Sequence, residues 1–203
     1  MDQRVAWEET HKTKAWDSNP NNDFLAFMAK YYWGHTGLEF LDLGAGAGAS
    51  ALFLASKGFK VKAVEFSKSA CDKLRYNLPE SDKLLVQVIN ADVNEVNFEQ
   101  STVDCIVAVR IFECLGLEES CLLIKKAKDW LKPNGRLFAS ILAQDLPEEL
   151  RHTGVELRSY SLEEVMNMFS DYSAGVGPIT QYVTGKCIPV SNWIVSASNI
   201  QFK

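Results

Sequence analysis

Three glycines, Gly44, Gly46 and Gly48, fall within the ten residues LDLGAGAGAS at 41–50. An apolar run leads into them and an apolar, helix-forming run follows. Glycines at this spacing suit a sharp turn from strand to helix whose backbone touches a ligand. A side chain would block that approach, and glycine alone adopts positive φ freely. The helix behind the turn offers unpaired N–H groups at its start, a place where a dinucleotide pyrophosphate can sit. Gly44, Gly46 and Ala49 satisfy the dinucleotide pattern G-x-G-x-x-A, while Gly44, Gly46 and Gly48 satisfy G-x-G-x-G. The glycines alone therefore leave the ligand open, and a purely structural turn would also use them.

Three carboxylates narrow the choice. Glu65 follows Gly44 by 21 residues and closes the next apolar run, where a carboxylate can accept both hydroxyls of a ribose. Asp92, in NADV, ends the run after that and can accept from an exocyclic amino group of adenine. Asp42, just before the glycines, can hold the loop or an ammonium group through ordered water. Each alone reads equally well as a solvated turn residue; three at successive strand ends do not.

The elements that must position these groups alternate. LEFLDL (38–43), FKVKAVEF (59–66), KLLVQVIN (83–90), VDCIVAV (103–109) and RLFASIL (136–142) read as strands. Helices are expected at 21–33, at 50–57 before Gly58, and after Ser67, with Ala70, Cys71, Leu74 and Leu78 on one face. A further helix is expected over 117–131, with Glu118 and Glu119 in its first turn as the helix dipole favours. Ser161 and Glu164 have capping-box spacing ahead of another. PITQYVT (178–184) and NWIVSAS (192–198) read as two more strands. Alternation from 38 to 142 implies a parallel, doubly wound α/β sheet with helices on both faces, whose ligand lies beyond the carboxyl ends of the strands.

In this order and spacing, LDLGAGAG (41–48), KAVEFS with Glu65, NADV with Asp92, DCIVAV (104–109) and LKPNGRL (131–137) resemble the class I S-adenosylmethionine-dependent methyltransferases. AWEETHKTKAWDSNPNNDFL (6–25) and FLASKGFKV (53–61) are similar, more loosely, to small tellurite-resistance and thiopurine methyltransferases. The resemblance implies a Rossmann-like seven-stranded sheet of order 3-2-1-4-5-7-6 with the last strand antiparallel. It implies one methyltransferase domain over 1–203: an N-terminal helical cap (1–37), a cofactor-binding core (38–142), and a lid segment with C-terminal strands (143–203). It implies S-adenosyl-L-methionine as cofactor. Asp42 and the backbone of Gly44, Ala45 and Gly46 would face its methionine part. Glu65 would take the ribose, Phe66 would flank the adenine, and Asp92 with the Val93 amide would read its amino group. Arg110 would lie near the methionine end, and Trp16 would belong to a flap over the site.

A sulfonium already carries an activated methyl group, so the protein need only align an acceptor and exclude water. A thiolate or other soft anion needs no base; a hydroxyl or amine gains from one, and Glu113 and His152 are candidates. No side chain is assigned as catalytic. The segment 143–160 would sit over the strand ends as part of a substrate lid.

Composition and motifs weigh against several classes. With 47% apolar and 23% charged residues and a net charge of −5, the composition argues against a large nucleic-acid surface, which would need a basic face. VRIFEC after the fourth strand departs from the Asn/Asp-Pro-Pro-aromatic motif of base amino-methylating enzymes, and no Pro-Cys pair offers a nucleophile for cytosine. The expected acceptor is therefore a small molecule. No apolar run reaches the length of a membrane span. The five cysteines show no CxxC pair, as expected for reduced thiols in a cytoplasmic protein, and the scattered His11, His35 and His152 imply no metal site. Two rivals stand: a non-catalytic cofactor-binding or interaction protein, and a nicotinamide-dependent reductase, although no Tyr-x-x-x-Lys occurs.

Overall fold

The computed structural model describes residues 2–13, 19–151, 154–183 and 188–199. Two helices come first, α1 (Gln3–Thr13) and α2 (Asn22–Tyr31). There follow β1 (Glu39–Leu43), α3 (Ala49–Ser56), β2 (Lys60–Glu65), α4 (Lys68–Asn77), β3 (Val86–Asn90), β4 (Val103–Val109), α5 (Leu117–Trp130) and β5 (Leu131–Leu142). The chain closes with α6 (Leu162–Met168), β6 (Ser173–Val183) and β7 (Ile188–Ser198). The seven strands form one sheet in the order β3-β2-β1-β4-β5-β7-β6. The first five run parallel; β7 is antiparallel to both β5 and β6. This is the order expected from the sequence.

Strand alternation divides the core into two layers. Leu41, Leu43, Ile106, Ala108, Leu137, Ala139 and Ile141 meet α5 and α6 on one face. Phe40, Val61, Ala63, Cys105, Val107 and Phe138 meet α2, α3 and α4 on the other. Burial on both faces is why the central strands read as nearly continuous apolar runs. Phe24 and Phe27 of α2 pack on Phe138 at ring separations of 5.6 and 5.1 Å, so α2 is fixed to the sheet.

The capping signals act as read. The Ser67 hydroxyl accepts from the Ala70 N–H at 3.1 Å. Ser161 and Glu164 bond reciprocally at 3.2 and 2.9 Å. Asn21 accepts from the Asp23 and Phe24 amides, starting α2 inside the NPNN turn.

Several boundaries differ from expectation. Helix α2 ends at Tyr31, and Trp33 is 84% exposed. β3 begins at Val86 because Lys83 to Leu85 form a turn. β5 begins at Leu131, which pairs with Val103 before a register shift; Pro133 and Gly135 had read as the stop between helix and strand. β6 and β7 begin at Ser173 and Ile188 and pair along their length as a long hairpin.

Candidate functional site

The carboxyl ends of β1, β2 and β3 lie side by side, with Leu43 opposite Val64 and Glu65 opposite Asn90. Beyond β1, Gly44, Gly46 and Gly48 all have positive φ, at 70°, 54° and 96°. Their reasons differ. A Cβ on Gly44 would come within 2.8 Å of the Ile111 side chain, and one on Gly48 within 2.2 Å of Leu74 Cδ1. Those two glycines let neighbouring elements close on the loop. A Cβ on Gly46 would meet nothing nearer than His11 Cε1 at 3.8 Å, so the space before Gly46 is left open.

Glu65 joins the loop to β2. One carboxylate oxygen accepts from the Gly46 N–H at 2.9 Å and the other from the Ser67 N–H at 2.8 Å. Burial pushes its carboxyl above the usual range, while these backbone donors oppose the shift. Asn90 ties β3 to the same corner by donating to the Glu65 and Phe66 carbonyls at 3.0 and 2.7 Å. Asp42 lies beneath the loop, 2% exposed. Burial pushes its carboxyl up to about 7, the Glu65 charge adds to the rise, and the Ala51 N–H opposes it. Its Oδ2 has no hydrogen-bond partner.

Asp92 accepts the Asn94 N–H at 2.8 Å on one oxygen. Its other oxygen is engaged by Arg4 of α1 at 2.5 Å. Val93 is buried in the α5 side of the core. Arg110 follows β4 at a φ of 61°, and its N–H donates to the Ser140 carbonyl at 2.9 Å. Its side chain pairs with Glu113, which is 1% exposed and leaves Oε2 without a partner. Burial raises the Glu113 carboxyl, against the pull of Arg110.

Helix α1 lies across this edge. Besides Arg4 on Asp92, Glu8 accepts from the Ser67 and Ser69 hydroxyls at 2.6 and 2.5 Å. The Lys73 ammonium donates to the His11 carbonyl. Gln3 donates to the Glu156 carbonyl at 2.9 Å, so the N-terminal helix meets the segment after β5. That segment is anchored where it ends. The Arg158 N–H donates to the Glu113 carbonyl at 2.8 Å, and the buried Tyr160 hydroxyl reaches the Phe112 and Leu115 carbonyls at 2.9 and 3.1 Å.

Asp42, Gly44, Ala45, Gly46, Glu65, Phe66, Asp92, Val93 and Arg110 thus lie at the carboxyl ends of β1 to β4, with the Val93 side chain turned into the core. Trp16 and His152 lie outside the described residues. Sequence reasoning did not single out Arg4, Glu8 or Asn90, whose contacts are polar and distant in sequence and leave no periodic trace.

The chain is similar to known proteins in sequence and fold. Residues 40–135 match the family model for the methyltransferase domain. In fold, the chain matches TehB of Haemophilus influenzae with a TM-score of 0.71 and 18% identity, over 97% of this chain and 66% of that one. This is the class I S-adenosylmethionine-dependent methyltransferase fold. The resemblance read from the sequence is borne out, and the cofactor it implies is S-adenosylmethionine. Among curated proteins similar to this chain, cypemycin N-terminal methyltransferase from a Streptomyces species is 31% identical over 125 residues, covering 61% of this chain and 48% of that protein. (S)-Coclaurine N-methyltransferase of Papaver somniferum is 36% identical over 104 residues, covering 50% of this chain and 29% of that protein. The matched region spans about half of the first relative's length and under a third of the second's. No helix among the described residues is long and apolar enough to cross a membrane.

Proposed function

We propose that this chain transfers a methyl group from S-adenosylmethionine to a small-molecule acceptor, with an amine as the acceptor class. The observation that carries the reading is the Gly46 N–H bonded to Glu65 at 2.9 Å beside open space at Gly46. One bond ties the loop to the group read as ribose-binding and leaves the backbone approachable. The unpartnered Oδ2 of buried Asp42 also fits a cofactor bearing an ammonium group. The names of the curated relatives, an N-terminal methyltransferase and an N-methyltransferase, support an amine.

Bound S-adenosylmethionine supplies a methyl group already activated on sulfur. The chain's own residues do the rest. The Gly44–Gly46 backbone and Asp42 would hold the methionine part, Glu65 the ribose, and Phe66, Asp92 and the Val93 amide the adenine. Holding an acceptor in line can contribute roughly 7–11 kcal/mol in favourable cases. Helix α1 and residues 143–160 would exclude water from the edge. Glu113, paired with Arg110 and with Oε2 free of a partner, is the candidate base for an amine acceptor.

The test is a screen with radiolabelled methyl donor against amines, small thiols, oxyanions and phenols. We expect donor-dependent label in an amine. Transfer to thiols alone would overturn the amine assignment, and no transfer to any class would favour a binding protein.

A further inference from the structure

Two buried polar side chains beside the candidate site have no partner. Ser140 of β5 and Asn192 of β7 are both 0% exposed. The Ser140 Oγ and both amide atoms of Asn192 make no hydrogen bond. A carboxamide offers two donors and an acceptor, and buried groups of this kind are nearly always satisfied.

The register puts them together. Ser140 pairs with Ile194 and Leu142 with Asn192 across β5 and β7. Paired residues project to the same face, and alternate residues along a strand share it. Phe138, two residues before Ser140, packs in the layer formed with α2, α3 and α4, and Ile194 packs against that layer. Ser140 and Asn192 therefore occupy that face at the carboxyl end of β5. Ser140 is also opposite Val109, and its carbonyl accepts the Arg110 N–H. Asp42, opposite Val107, lies on the same face two strands away. Asp42 under the glycine loop and the Ser140–Asn192 pair are thus buried, incompletely bonded polar groups on one face, separated by Val107 and Val109 of β4.

We propose that Ser140 and Asn192 recognise the methyl acceptor, holding a neutral amide group of the acceptor away from its reacting atom. The inference rests on the methyltransferase reading. Both side chains are neutral and each both donates and accepts. A second carboxamide can complete two hydrogen bonds with Asn192 while Ser140 adds a third. A charged group would be desolvated there without a counter-charge.

The experiment compares wild type with Ser140→Ala, Asn192→Leu and Asn192→Ala. Each protein is titrated calorimetrically with S-adenosylhomocysteine; then benzamide, a neutral primary amide, is titrated into the saturated protein. Melting temperatures are measured alongside. We expect S-adenosylhomocysteine affinity to stay within twofold in every variant and benzamide binding to weaken at least tenfold in both Asn192 variants. In Asn192→Leu and Ser140→Ala, removal of an unsatisfied buried group should leave the melting temperature unchanged or raised. If Asn192→Leu does not fold, Asn192→Ala carries the comparison. Benzamide that fails to bind the saturated wild type, or binds the variants equally, overturns the proposal while the cofactor reading stands. Failure of S-adenosylhomocysteine to bind the wild type removes both.

Discussion

The Arg4 guanidinium of α1 lies 2.5 Å from the Asp92 carboxylate at the end of β3. In the proposed reading Asp92 would accept from the adenine amino group, so α1 holds in this state an acceptor atom that the cofactor would use. Arg4 is 60% exposed against 13% for Asp92, and an exposed ion pair contributes roughly 0.2–1 kcal/mol. Replacing Arg4 with Ala should therefore tighten S-adenosylhomocysteine binding by no more than about fivefold. Replacing Asp92 with Ala should weaken it by roughly 1–3 kcal/mol, the effect of leaving a desolvated donor unpaired. Calorimetry on the two variants checks both signs. Weaker binding by the Arg4 variant would mean that Arg4 belongs to the bound state.

Gly46 and Gly48 should fail in different ways. Gly46→Val puts a branched side chain into open space at a φ of 54°. The left-handed backbone there should lower stability by roughly 1–2 kcal/mol, and the branches should abolish cofactor binding. Gly48→Ala instead drives a methyl to 2.2 Å from Leu74 Cδ1, so overpacking of about 1–3 kcal/mol adds to a similar backbone term. Circular dichroism melts beside binding titrations separate the two. A Gly46→Val protein that binds fully would show that the loop faces something else.

Asp42 should make stability depend on pH. Its ordinary value of 3.8 is raised to about 7 by burial, by Glu65 and against the Ala51 N–H. Folding favours the protonated form, so the contribution is fully present below about pH 4 and is lost as pH rises through 7. The full swing is roughly 3–5 kcal/mol. Asp42→Asn should therefore be more stable than wild type at pH 8 and similar at pH 4, in denaturant titrations at both values. An ammonium held near Asp42 would favour the ionised carboxylate, so wild-type cofactor affinity should rise with pH up to about 7. Equal pH slopes of stability in variant and wild type would place the titration elsewhere.

Helix α1 should respond to cofactor. Its contacts with the edge are mostly polar, through Arg4, Glu8 and Gln3, and such a cover can open without exposing much apolar core. We expect residues 3–13 to gain hydrogen-exchange protection when S-adenosylmethionine binds, together with residues 154–160. Unchanged exchange over 3–13, with protection gained at 44–48, would make α1 a fixed extension.

The central strands, the loop and the carboxylates were legible because burial on two faces and a bare turn both mark the sequence. Asp42, Glu65 and Asp92 gather where alternating strands and helices put them. The start of β6 was hidden by Gly175 and Gly177, which pair in the ladder although a Cβ on either would touch nothing. The start of β5 was hidden by Pro133 and Gly135, which read as a stop. Helix α1 left little apolar periodicity, since among its residues only Ala6 is buried. Ser140 and Asn192 sit within apolar runs, and their isolation from every protein partner is visible only when the strands are assembled.

The most direct measurement is a calorimetric titration of the wild-type protein with S-adenosylmethionine, S-adenosylhomocysteine and nicotinamide dinucleotide, repeated with Gly46→Val. We expect one-site binding of both methionine-derived ligands, none of the dinucleotide, and loss of all binding in the variant. Binding of the nicotinamide dinucleotide with neither methionine-derived ligand would contradict the cofactor assignment and the methyl transfer built on it.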